Sequence, residues 1–152
     1  MIITEFKNRL GDCCCQGWFS LMAKSERFDL CSCFKNALER ERYLEVVQSR
    51  VYKTALARFR MGVSRINGHR LRFLVAENQR FCPFCVDMTE DESRMFFVCS
   101  VYSHLKEKFP LHVYRGVSMK EQYSRLYNNP DDNTLLNMSR FIFFALTLRE
   151  RV

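Results

Sequence analysis

The stretch from about residue 133 to 150 constrains the fold most, because it is apolar nearly all round when wound as a helix. Leu135, Leu136, Met138, Phe141, Ile142, Phe143, Phe144, Leu146 and Leu148 leave only a narrow polar strip. A helix of that kind has to be covered on several sides, so it belongs at the centre of a bundle. Its best apolar run, Phe141 to Leu148, is far shorter than the roughly 18 residues of a membrane span.

The rest of the chain agrees with a helical bundle. Only 5 glycines and 3 prolines occur in 152 residues, too few for a turn-rich sandwich or barrel. Fourteen phenylalanines predict an aromatic core. The opening Met1-Ile2-Ile3-Thr4-Glu5-Phe6 lacks the charged start and apolar run of a secretory signal, so a cytoplasmic or nuclear location is expected. In a reducing compartment the eight cysteines are thiols or metal ligands rather than a disulfide framework.

Residues 4 to 23 repeat apolar side chains at helical spacing: Phe6, Leu10, Cys14, Trp18 and Leu21. Cys13, Cys14 and Cys15 lie within that helix about 100° apart, so they cannot all grip one ion and are expected to be small, at least half-buried side chains. Ser25 is placed to cap a second helix carrying Phe28, Cys31, Phe34 and Leu38. Cys31-Ser32-Cys33 has too short a spacer for a zinc knuckle and is read as structural. Residues 40 to 63 form one or two further helices. On the last, Val51, Ala55, Leu56, Phe59 and Val63 share one face, Arg50, Lys53, Arg58 and Arg60 spread across the other, and Gly62 marks the end. Met95-Phe96-Phe97-Val98 reads as a short strand or extended segment. Tyr102, Leu105 and Phe109 predict a helix stopped by Pro110. Ser118 caps a helix with Tyr123, Leu126 and Tyr127, and Asn129-Pro130-Asp131-Asp132 is the turn and cap before the last one.

The sharpest chemical signal is Cys82-Pro83-Phe84-Cys85, then thirteen intervening residues and Cys99. Two cysteines three apart in a tight turn can place both sulfurs on one tetrahedral ion, and a structural zinc takes four ligands. His104 is the nearest candidate for the fourth, provided Cys99 precedes the helix. Inside one helix the two would point about 140° apart. His69 and Asp87 are further candidates. The alternative is a metal-free core in which the three cysteines pack beside Phe81, Phe84 and Phe97.

Positive charge is concentrated rather than spread. The net charge is +7, and residues 50 to 80 hold Arg50, Lys53, Arg58, Arg60, Arg65, Arg70, Arg72 and Arg80 against a single acid, Glu77. Arginine suits bidentate phosphate contact, so a phosphate-binding face is expected from Arg58, Arg60, Arg65, His69, Arg70, Arg72 and Arg80. Phe73 and Phe81 could stack on bases, but core burial is the stronger expectation for both.

These residues in this order resemble a known arrangement. Arg58-Phe59-Arg60-Met61-Gly62-Val63-Ser64, then Gly68-His69-Arg70-Leu71-Arg72-Phe73, then Cys82-Pro83-Phe84-Cys85, Glu90-Asp91-Glu92 and Phe96-Phe97-Val98-Cys99 are similar to the region downstream of the polymerase domain in animal non-LTR retrotransposon reverse transcriptases. Trp18 with Ser25-Glu26-Arg27-Phe28, and Asn137-Met138-Ser139-Arg140-Phe141-Ile142 with Leu148-Arg149, fit the same region. The resemblance implies a zinc-binding module that helps a polymerase hold nucleic acid. Where that pattern carries a histidine, five residues before the last cysteine, this chain has Arg94.

The reading is a mainly α protein: a helical bundle with a small cysteine-rich, zinc-knuckle-like insertion. Residues 1–152 are expected to form a single domain, with N-terminal helices over 1–63, the basic segment and knuckle over 64–109, and C-terminal helices over 110–152. Its expected role is non-catalytic, sequence-independent binding of RNA or DNA with a structural zinc, with a polymerase domain as a further expected partner, no small-molecule substrate and no membrane. The paired aspartates of a polymerase site would sit in a hydrophobic hairpin, whereas Asp131-Asp132 lies in a polar turn. A helical protein-interaction module, or a retroelement relic without metal, is the alternative.

Overall fold

The computed structural model describes residues 2–24, 31, 35, 39–66, 76, 80–86, 88–111, 117–128 and 131–151. Six α-helices are formed among them: α1 (Ile2–Lys24), α2 (Tyr43–Val46), α3 (Arg50–Arg60), α4 (Ser103–Lys108), α5 (Met119–Asn128) and α6 (Asp132–Arg149). A π-helical turn, Arg94–Val98, and a 3-10 turn, Ser100–Tyr102, lead into α4. The described residues form no strand beyond one isolated antiparallel bridge, Phe81 with Thr89. Among the described residues no helix is long and apolar enough to cross a membrane.

The apolar helix is the hub, as its composition requires. Helices α2, α3 and α4 all pack on α6, whose Leu135, Met138, Phe141, Ile142 and Ala145 are buried. One continuous hydrophobic cluster holds these side chains together with Tyr43, Leu56, Phe59, Met95, Phe96, Tyr102 and Leu126. The phenylalanines build it: Phe141 stacks on Phe96 at 5.5 Å, and Phe96 meets Phe59 edge to face at 5.3 Å.

The helix ends follow the expected chemistry. Asp131 accepts from the Thr134 amide at 2.9 Å and caps α6, so the Asp131-Asp132 pair is a helix start. Those bonds also hold the Asp131 carboxyl below its ordinary range. Ser118 accepts from the Glu121 amide at the start of α5. Helix α3 closes at Gly62, whose φ of 64 is open to glycine, with the Val63 amide donating to Arg58 and the Gly62 amide to Phe59.

Four expectations are corrected. Residues Met95 to Val98 are part of the π-helical turn rather than a strand, since a four-residue apolar run has no periodicity to tell the two apart. On α3 the buried side carries Leu56, Phe59 and Arg60, while Val51 is 55% exposed and Val63, past the helix end, is 41% exposed. On α1 the apolar stripe is left largely in solvent: Leu10, Phe19 and Leu21 are exposed, and so are Cys13 and Cys14. That helix shares no extensive interface with another described helix. Phe81, expected in the core, is 42% exposed. The cap at Ser25 and the residues Phe28, Phe34 and Leu38 fall outside the described residues.

Candidate metal centre and basic groove

Two pieces of backbone bring three cysteines together. In the first, the Cys82 amide donates to the Met88 carbonyl and the Glu90 amide to the Arg80 carbonyl, closing a small hairpin. Its turn is sealed by the Val86 amide on the Cys82 carbonyl, with Val86 at a φ of 53. Cys82 and Cys85 lie on this turn. In the second, Asp91 caps the turn by accepting from the Arg94 amide at 2.7 Å. The chain then widens into the π-helical turn, closed by the Cys99 amide on the Arg94 carbonyl. Cys99 leaves it in extended conformation just before α4.

The sulfurs of Cys82, Cys85 and Cys99 all lie within 4.8 Å of one another. Cys85 and Cys99 are 3.6 Å apart. A tetrahedral zinc with Zn–S bonds of about 2.3 Å separates its sulfurs by about 3.8 Å, close to the Cys85–Cys99 spacing, and the third sulfur is near enough to share one ion. All three are free thiols. Cys82 and Cys99 are buried and Cys85 half-buried, and burial pushes the Cys99 thiol up to about 11. The Lys106 ammonium, whose own pKa is lowered by burial, donates to the Cys99 carbonyl at 3.1 Å.

Among the described residues no histidine takes the fourth place. His104 lies in α4, is exposed, and is absent from the sulfur cluster, because the 3-10 turn and the start of the helix carry its side chain outward. What approaches the cluster instead is Arg94. Its guanidinium hydrogen-bonds Cys85, which lowers that thiol's pKa, and also reaches Cys82. Arg94 is buried and donates to the Met88 sulfur as well. Thus the residue standing where the resembling pattern has histidine does face the cysteines, as a cation. His69 and Asp87 fall outside the described residues.

A second brace was not anticipated. Glu90, almost wholly buried, is gripped by Arg149 of α6 at 2.9, 3.2 and 3.1 Å. This two-pronged pair ties the base of the hairpin to the C-terminal end of the central helix. The only sequence signal for it is an acid directly before the Asp91 cap.

The basic residues divide into three groups. Arg60 is no phosphate ligand: it is 5% exposed, bonded to Glu41 at 2.7 Å, and lies between the rings of Tyr43 and Tyr127 at 5.2 and 4.9 Å. Its position near the helix end turns it into the core rather than outward. Arg80 is half-buried at the hairpin base. Arg58 and Arg65 are exposed, Arg65 paired with Glu150, and both line a groove of about 520 Å³ between α3 and α6 together with Arg50. Arg70 and Arg72, like Phe73, fall outside the described residues.

No family model, curated protein or solved structure matches this chain.

Proposed function

We propose that this chain is a non-catalytic module that binds RNA or DNA without sequence preference and is braced by a structural zinc. The observation that carries the reading is the sulfur triangle of Cys82, Cys85 and Cys99, which joins the hairpin to the turn before α4, in a chain whose α3–α6 groove is lined by three arginines. Zinc on three thiolates leaves one net negative charge, and the Arg94 guanidinium stands beside the sulfurs to balance it. The resemblance to the post-polymerase region of non-LTR retrotransposon reverse transcriptases supports the same assignment and makes a polymerase domain a natural partner.

The test is binding of labelled single-stranded and duplex oligonucleotides over a salt series, with and without a zinc chelator. Affinity is expected to fall steeply with salt, and chelation to weaken it. Undetectable binding to every oligonucleotide at low ionic strength would overturn the reading. A second reading, docking onto another protein, draws on the exposed Leu10, Phe19 and Leu21 of α1. Self-association or partner-dependent burial of α1, without nucleic-acid binding, would favour it.

A further inference from the structure

The groove between α3 and α6 differs from an ordinary surface cleft in the placement of its charges. Arg50 and Arg58 are both exposed on α3 and line it, and neither has a carboxylate partner among the described residues. They stand eight positions apart, on one ridge of the helix, so their Cα atoms are about 12 Å apart along its axis. The far wall carries Arg65, held by Glu150, so three arginines face one another against a single carboxylate. Between these charges the lining includes apolar side chains, with Val63 41% exposed and Phe143 partly buried.

We infer that this groove is the seat of an unpaired nucleic-acid strand, with Arg50 and Arg58 on its phosphates and a base against Val63 and Phe143. This deepens the nucleic-acid reading proposed above and rests on it. Charge selects a polyanion, and the apolar part of the lining selects one whose bases are not already paired. At roughly 3.4 Å per stacked nucleotide, the 12 Å between the two arginines covers about three nucleotides. A duplex keeps its base faces stacked inside and would use the arginines alone.

The experiment compares the full chain with the Arg50→Gln/Arg58→Gln double variant and with Arg140→Gln, an exposed arginine of α6 outside the groove. Binding of a fluorescent single-stranded oligonucleotide and of its duplex is followed over a salt series, and unchanged helical circular dichroism shows that the variants are folded. Removing two phosphate contacts should reduce the slope of log affinity against log salt by about 1.4 for the single strand. Arg140→Gln should leave the slope unchanged, and the wild type should prefer the single strand. An unaltered slope in the double variant, equal loss in Arg140→Gln, or no preference for the single strand would overturn this assignment while leaving nucleic-acid binding intact. A wild type that binds neither would sink the underlying reading instead.

Discussion

Cys85 and Cys99 hold their sulfurs 3.6 Å apart although fourteen positions separate them in the chain. The hairpin supplies one and the end of the π-helical turn the other, so their approach depends on both elements being in place. The Glu90–Arg149 pair and the Asp91 cap lie directly between the two and fix the angle at which they meet. A metal bound there would therefore lock hairpin, turn and central helix into one unit.

Arg94 is the residue whose replacement is most informative. Its side chain already reaches Cys85 and Cys82, so a histidine at that position is expected to face the same ion. Arg94→His should complete a set of three sulfurs and one nitrogen and raise zinc affinity by about tenfold or more, read by competition with a chelating dye. Affinity equal to the wild type would mean that position 94 does not face the ion.

Arg60 is expected to behave as a core residue. Replacing it with glutamine leaves Glu41 with Lys35 alone as an ion-pair partner among the described residues and removes the cation between two tyrosine rings. Since Glu41 is partly exposed and keeps Lys35, the loss should fall below the roughly 3–5 kcal/mol of a fully buried pair, at about 2 kcal/mol by denaturant unfolding. The salt slope of nucleic-acid binding should not change. A fall in that slope without a loss of stability would return Arg60 to the phosphate-binding face.

Burial raises the pKa of Tyr102, Tyr123 and Tyr127 above the ordinary tyrosine value, because each phenol sits in the core. The neutral form is thus favoured by folding. Their stabilising contribution is full below about pH 10 and is lost as pH rises from there toward the folded-state values. Unfolding free energy measured between pH 8 and 11 should drop at the alkaline end, and less so in Tyr123→Phe. A flat profile to pH 11 would contradict this.

What was legible in the sequence were the features set by local chemistry. An all-round apolar helix had to be central, and Ser118 and Asp131 mark helix starts by bonds from their own side chains, while Gly62 marks a helix end by a backbone angle that the lack of a side chain opens. The cysteine spacing likewise foretold a cluster. Features set by packing were not legible. Nothing in the pattern distinguishes Arg60, buried between two rings, from exposed Arg58 two positions earlier. The π-helical turn at Arg94 to Val98 is written in no periodicity, yet it decides that Arg94 and not His104 meets the cysteines. The Glu90–Arg149 pair joins residues 59 positions apart, and an acid before the Asp91 cap does not say which cation it will meet.

The measurement that bears most directly on the metal-braced account is the metal content of the purified chain, by native mass spectrometry and elemental analysis, beside Cys85→Ser. The account predicts about one zinc per chain, lost in the variant, with the half-buried Cys85 of the wild type protected from alkylation only while the metal is bound. A metal-free wild type, prepared without chelators and unable to take up added zinc, would contradict it.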